Sequence, residues 1–377
     1  MHSGKDASTS RKLKSPARSS KNSTSRPASQ RLSGGSTTLV DEIAEKSVEE
    51  SREIARLKGQ VRSLTGQNRE LLERIDDSER RLEVASSLQE RRAIERWEKE
   101  RKKSTSGHSV IVALSDWHWE EVVVRSQVAG VNEYTPEIAH RRAKHTFQKT
   151  AEYWERYTHG AKELVVGLLG DFITGFIHEE LEETNALSPM QATLEVMDVI
   201  QAGLQFLSRE TDAKTIMVPC CFGNHSRTTK KRRVKTEWRH SYEYAMYERL
   251  EKLFAADPKI KVFPARGYLN YVEVQGRTVR FHHGHAIKYG DGVGGITIPV
   301  NKRVARWDRS KTSHLDVFGH FHSIQNGEGF RWICNGSLIG QTEYSADCGY
   351  DPTPPKQAFI VFDGTYGVRT LAPIISE

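Results

Sequence analysis

The strongest constraint in this sequence is a spacing. Five short apolar runs, spread over about two hundred of its 377 positions, each lead into a cluster of metal-ligating residue types. Residues 110–114 lead into Ser115-Asp116-Trp117-His118, and residues 164–169 into Gly170-Asp171. Residues 215–218 precede Gly223-Asn224-His225-Ser226. Residues 278–281 precede His282-His283-Gly284-His285, and residues 315–318 precede Gly319-His320-Phe321-His322. Short apolar runs bounded by glycine and polar clusters read as buried strands. Between them lie amphipathic stretches at 136–157 and 188–208, opened by Thr135-Pro136 and Ser188-Pro189, which are helix-start signals. The alternation predicts an α/β domain, and open α/β sheets gather ligands at the carboxyl ends of their strands.

Taken singly, each cluster is an ordinary solvated loop. Taken as an ordered set they read as a site, because Asp, Asn and His suit Zn, Mn or Fe. Glycine precedes or interrupts four of the five, as expected where a chain turns sharply or closely approaches an ion. The pattern continues with a helix expected over 237–254, a hairpin of 268–274 and 278–283 turning on Gly276, and a short helix over 301–310. Strands are expected over 315–318, 330–335 and 358–362, with Asp363-Gly364 turning into a last strand.

The order D-x-H, G-D, G-N-H, H-G-H, G-H-x-H resembles that of the calcineurin-like metallophosphoesterases, over roughly residues 108–340. The resemblance implies a β-sandwich flanked by helices and a centre of two divalent metal ions, manganese first, with Fe, Zn, Ni or Co as alternatives. It implies that Asp116, His118 and His322 hold the first metal, Asp171 bridges, and Asn224, His283 and His320 hold the second. His225 matches the family's histidine that contacts the phosphate and helps the leaving group depart. A pair of cations about 3.5–4 Å apart activates water and clamps phosphoryl oxygens during in-line attack. Two positions depart from the family. Thr174 stands three residues after the bridging Asp, and Ser226 follows G-N-H, where the family often has acids. The departures bear on what surrounds the ligands rather than on the ligands themselves.

After Ser226 come Arg227, Lys230, Lys231, Arg232, Arg233 and Lys235. So dense a cluster beside a phosphoester site suits a nucleic-acid backbone, with Arg227, Lys230, Lys231 and Arg232 as candidate substrate contacts; a solvated loop explains it equally well. Trp117, Trp119 and Phe172 flank ligands and are placed either to stack on bases or to pack the core. The fragments Gly290-Asp291-Gly292-Val293-Gly294-Gly295, Ile298-Pro299-Val300-Asn301-Lys302 and Cys334-Asn335-Gly336-Ser337-Leu338 resemble stretches of phage and prophage metallophosphoesterases. The expected activity is that of a phosphodiesterase or nuclease on DNA or RNA. A phosphomonoesterase and a non-catalytic scaffold of the same fold are the alternatives.

The N-terminal part has a different character. Residues 1–36 are rich in Ser, Thr, Lys and Arg, with few large apolar side chains and one acid, Asp6; they are expected to be a disordered basic tail. Residues 38–104 lack proline and carry a heptad series: Ile54 at a, Leu57 at d, Val61 at a, Leu64 at d, Asn68 at a, Leu71 at d, Ile75 and Leu82 at a. This pattern favours a parallel two-stranded coiled coil and hence a homodimer; a long single helix lying on the catalytic domain is the alternative. Ser47, Glu50 and Ser78 interrupt the series. The catalytic domain is expected over 108–377.

No run of about 18 apolar residues exists, so no membrane span is expected. Cys220, Cys221, Cys334 and Cys348 form no CxxC pair and read as reduced core thiols of a cytoplasmic protein in a bacterial or phage-infected cell. The net charge of +7 favours an anionic partner.

Overall fold

The computed structural model of the protein describes residues 37–90, 107–158, 160–289 and 294–377, with N-terminal side chains placed over 44–76, 78 and 79. The expected tail at 1–36, the continuation of the heptad segment over 91–104, and residues 290–293 of the glycine-rich stretch lie outside the described residues. The chain divides into two compact units, Met1–Ser78 and Glu79–Glu377.

The first unit is represented by one helix, α1 (Thr37–Glu90). Its described apolar side chains are exposed, including Ile54 at 52%, Val61 at 61% and Leu64 at 59%.

The second unit holds two mixed sheets. Strands β1 (His108–Leu114), β2 (Glu163–Leu168), β3 (Thr215–Cys220) and β4 (Ile260–Pro264) run parallel. Strands β5 (Asn270–Val274) and β6 (Arg277–His282) form a hairpin, β6 runs parallel to β7 (Leu315–Phe318), and β8 (Gln325–Asn326) returns to β9 (Trp332–Cys334). Strands β10 (Lys356–Asp363) and β11 (Gly367–Ile375) pair antiparallel and join β1. The six-stranded order is β11-β10-β1-β2-β3-β4 and the five-stranded order is β5-β6-β7-β9-β8.

Period-two patterning sorts the side chains into layers. Val110, Val112 and Leu114 of β1 face the helices, with Leu164, Val166 and Leu168 of β2. The alternate residues Ile111, Ala113 and Val165 face inward and pack with Val279, Phe281, Leu315, Val317 and Ile333 of the second sheet. That shared layer makes the two sheets a sandwich.

Over the first sheet lie α2 (Pro136–Tyr157), α4 (Pro189–Glu210) and α5 (Tyr242–Phe254). Gly203 of α4 lets the two long helices approach, because a Cβ there would overlap the Phe147 ring of α2. Over the second sheet lies α6 (Thr297–Asp308), whose Val300 and Val304 pack on Phe318 and Trp332. Two short helices, α3 (Leu181–Thr184) and α7 (Glu343–Asp347), lie in loops.

Helix starts follow the side-chain chemistry. The Thr135 hydroxyl accepts from the Ile138 N–H, and Ser188 and Gln191 form a reciprocal capping box. The helix expected over 237–254 is broken: Glu237–His240 is a 3-10 turn, and α5 starts afresh after Ser241, whose hydroxyl caps Tyr244. Ser241 competes with the helix for that N–H and ends the continuity. Helix α6 begins at Thr297, four residues before the expected position 301, because Pro299 fits the first turn of a helix. Of the four cysteines, Cys220, Cys221 and Cys334 are buried as expected, but Cys348 is exposed just beyond α7.

Candidate metal centre

The parallel strands β1, β2 and β3 end at Asp116, Asp171 and Asn224, and β6 and β7 end at His283 and His320. All five loops open on one rim, so the sandwich converges residues far apart in sequence. Asp116, His118 and His322 bring one ligand atom each to within 4.8 Å of one another. Asp171, His283 and His320 do the same, as do His118, Asp171 and His225. The carboxylate of Asp171 therefore belongs to two groups and lies between the others. Asn224 is partly buried in the loop after β3, and its Oδ1 is buried with no hydrogen-bond partner.

The backbone of these loops is unusual. Eight non-glycine residues among those described have positive φ, and five are Asp116 (56°), His118 (48°), Asp171 (52°), His320 (74°) and His322 (53°). Such residues are uncommon and cost free energy, so their concentration at one rim marks a site held in shape by its surroundings. The loops also interlock. The Trp117 and His118 amides donate to the Asp171 carbonyl at 2.8 and 3.1 Å, and the His320 amide donates to both Asp116 carboxylate oxygens at 3.0 Å. Gly319 is required by this closeness: a Cβ there would overlap Asp116 Oδ2 and stand 2.9 Å from Ser115 Cβ.

Hydrogen bonds fix which imidazole atoms face the centre. His283 Nδ1 lies 2.8 Å from the Leu169 carbonyl, which only accepts, so Nδ1 carries the proton. Its Nε2 then points at Asp171 Oδ2, 2.8 Å away, without hydrogen-bond geometry. A lone pair facing a carboxylate at that distance requires a cation or a proton between them. His225 Nδ1 donates to the Thr174 carbonyl at 2.9 Å, leaving Nε2 for chemistry, and its amide donates to Asp171 Oδ1 at 2.8 Å. His118 and His322 face each other through Nε2 atoms 3.3 Å apart.

The electrostatics agree. Burial, reinforced by the neighbouring imidazoles, holds His118 and His320 well below the usual histidine range. Burial also lowers His225, with Asp171 opposing. Burial would lower His283 too, but the Asp171 carboxylate lifts it to about 9. Burial works to raise Asp171, and the surrounding imidazoles of His283 and His225 overcome it, keeping the carboxylate well below its ordinary range.

Several residues that sequence reasoning missed hold this frame. Glu243 of α5 is fully buried and accepts from the Phe172 amide at 2.6 Å and the Gly223 amide at 2.8 Å, tying the second and third loops together. Asn335 and Gln357 are buried beside Ser115: the Asn335 amide donates to Ser115 Oγ at 2.8 Å, and Ser115 Oγ donates to Asp116 Oδ2 at 2.5 Å. Asn335 follows β9, which is the same strand-then-polar signal as the five ligand loops. Glu243 sits within an amphipathic helix, where nothing distinguishes it from a surface acid.

The other candidates divide. Trp117, Trp119 and Phe172 are fully buried, with Trp117 and Phe172 edge-on at 4.8 Å, so they pack the core and offer no face to a base. Arg227 donates to the Asn224 carbonyl at 2.9 Å and lies at the edge of the centre. Lys230 pairs with Glu179 at the surface, and Lys231 is exposed. Arg232 is held by both carboxylate oxygens of the buried Glu237, at 2.7 and 3.0 Å, and its guanidinium lies over the Tyr268 ring. Of the two departures, Ser226 is buried with its hydroxyl 2.8 Å from that of Ser241, so it belongs to the start of α5. Thr174 lies beside His118, 3.3 Å from Nδ1.

The second unit thus combines two sheets in a sandwich, helices on both outer faces and the five loops in this order. This is the β-sandwich flanked by helices that the resemblance to the calcineurin-like metallophosphoesterases implies.

Solved structures similar to this chain include Vps29 from Entamoeba histolytica complexed with zinc, 10% identical over 70% of this chain and 99% of that one, with a TM-score of 0.30. A predicted phosphoesterase from Streptococcus pneumoniae is 10% identical over 71% and 99%, with a TM-score of 0.26. An archaeal phosphodiesterase is 12% identical over 70% and 99%, with a TM-score of 0.30. No family model and no curated protein matches the chain. No helix among the described residues is long and apolar enough to cross a membrane.

Proposed function

We propose that this protein is a two-metal-dependent phosphoester hydrolase acting on phosphodiesters, with nucleic acid as the substrate class. The observation that carries the reading is that Asp171 is shared by two clusters of donor atoms, one with His118 and His225 and the other with His283 and His320. The residues fit such a pair of ions: Asn224 Oδ1 and His283 Nε2 are buried donor atoms without hydrogen-bond partners, both belonging to the ligand set. Asp116, His118 and His322 would hold one ion, Asn224, His283 and His320 the other, and Asp171 both.

Bound there, divalent cations would supply Lewis acidity and a water of lowered pKa. Manganese leads, with Fe, Zn, Ni and Co as alternatives, since the donors are all nitrogen and oxygen. The chain's own residues do the rest. His225, oriented by the Thr174 carbonyl, presents Nε2 to protonate a leaving alkoxide. Arg227, anchored on the Asn224 carbonyl, offers a cation beside the candidate ligands for a phosphate oxygen. Lys230 and Lys231 extend the positive rim, and Arg232 braces the loop against Glu237. The four free cysteines suit a reducing cytoplasmic setting.

A manganese-dependent cleavage assay on single- and double-stranded DNA and on RNA tests the reading, with Asp171→Asn as control and p-nitrophenyl mono- and bis-esters alongside. Metal-dependent cleavage lost in Asp171→Asn supports it. Turnover of the mono-ester alone would make the protein a phosphomonoesterase. Bound metal with no turnover of any ester would make it a scaffold.

A further inference from the structure

We infer that α1 is one strand of a parallel, in-register, two-stranded coiled coil formed with a second copy of this chain. Helix α1 is 54 residues long, and its described side chains over positions 44–76 are exposed. The exposed apolar side chains include Ile54, Leu57, Val61, Leu64, Leu71 and Ile75, which occupy successive a and d positions. Gly59 and Gly66 both fall at the outermost f position, where each weakens an isolated helix and leaves a paired seam intact. A long helix whose apolar seam from Ile54 to Ile75 is interrupted at Asn68 alone, and which carries two interior glycines, derives its stability from packing that seam.

Charge identifies the occupant. In a parallel pair each g residue meets the e residue of the following heptad on the other strand. Glu53 at g meets Lys58 at e, and Arg74 at g meets Glu79 at e. The intervening pairs, Gln60 with Thr65 and Gln67 with Leu72, carry no charge. No pair in this stretch is like-charged, so a second copy fits in register. Asn68 at a faces its own counterpart, which penalises shifted alignments, and β-branched residues at a with Leu at d select two strands.

The test uses the full chain with Cys348→Ser, which removes the exposed thiol. Light scattering after gel filtration is expected to give a dimer, and Leu64→Glu a monomer whose metal content matches the parent's. Val61→Cys is expected to cross-link at a on mild oxidation. Glu53→Lys is expected to weaken the dimer about tenfold, and the added Lys58→Glu to restore it. A monomeric or trimeric parent, a dimer untouched by Leu64→Glu, or a dimer in which Val61→Cys does not cross-link would each overturn the proposal.

A separate observation carries a second inference, which rests on the metal-centre reading. The geometry points to Glu121 as a positioning carboxylate for His118. Thr174 Oγ1 donates to Glu121 Oε2 at 3.1 Å, so its lone pairs are turned toward His118 Nδ1, 3.3 Å away. Glu121 Oε2 is itself 3.6 Å from that nitrogen. A carboxylate behind the outer ring nitrogen of a ligating histidine keeps the proton on that atom and the other lone pair toward the ion.

Isothermal titration of the full chain with Mn2+ tests this. Glu121→Ala is expected to weaken uptake by about 10–100-fold, with the metal-free thermal midpoint unchanged. Adding Thr174→Asp, which puts a carboxylate on the other side of the same nitrogen, is expected to recover affinity. No uptake by the parent would sink the metal centre itself. Uptake by the parent that Glu121→Ala leaves unchanged, or a folded double variant without recovery, would sink the positioning role alone.

Discussion

Replacing Gly223 by alanine tests whether the centre depends on the closeness of its loops. Gly223 does not have positive φ, so alanine is tolerated by the backbone and the effect is purely one of space. Its Cβ would overlap Asp171 Oδ1 and the Asp171 amide nitrogen, and stand 2.7 Å from Asp171 Cγ, where ordinary contact begins at 3.4 Å. The bridging carboxylate must therefore retreat by at least roughly 0.7 Å, or the third loop must lift and strain the Gly223 amide bond to Glu243. Overpacking of this kind costs about 1–3 kcal/mol of stability. A misplacement near 1 Å at a site of this sort costs about 100-fold in rate. Metal titration, turnover and thermal melting read the three consequences. Gly276→Ala is the control: Gly276 turns the β5–β6 hairpin at φ 72° with open space around it. It is expected to lose about 1–2 kcal/mol from the left-handed backbone alone, with metal uptake unchanged. If Gly223→Ala bound manganese and turned over substrate like the parent, the reasoning from loop contact would be wrong.

Metal uptake should release protons. His283, lifted to about 9 by Asp171, holds a proton at neutral pH on the nitrogen the ion requires, so apparent affinity should fall about tenfold per pH unit below that value. Calorimetry in buffers of different ionisation enthalpy counts those protons. Glu243→Gln should alter the pH dependence of stability. Burial lifts Glu243 to about 7 from 4.5, so its contribution is fully present below 4.5 and lost as pH rises through 7. The parent's stability relative to Glu243→Gln should therefore decline across that window in metal-free denaturant titrations. Away from the centre, Arg280 is fully buried and bonded to Asp316 at 2.5 and 3.0 Å and to Asp308 at 3.1 Å. Arg280→Ala removes one of the two guanidinium groups bonded to the buried Asp316, Arg331 remaining at 2.9 Å, and should cost about 1.5–3 kcal/mol in urea unfolding while leaving metal affinity intact.

The sequence by itself determined the elements and the ligand types. Apolar runs before Asp116, Asp171 and His320 became strands because each alternates between two buried layers, and the helices start where Thr135 and Ser188 cap them. The candidate donors were equally legible, since only certain side chains carry the atoms a cation takes. Tertiary structure decided what those residues do to one another. The left-handed φ at five of the candidate ligands arises because loops from two sheets interlock, which no local pattern encodes. The partly buried Glu121 and the fully buried Glu243 were invisible for the same reason: such a carboxylate is distinguished by the amides and imidazoles around it, brought there by other elements. Arg232 looked like a free cation until the fold placed Glu237 against it. Spacing along a chain reports local periodicity, whereas a charge takes its role from neighbours that only packing supplies.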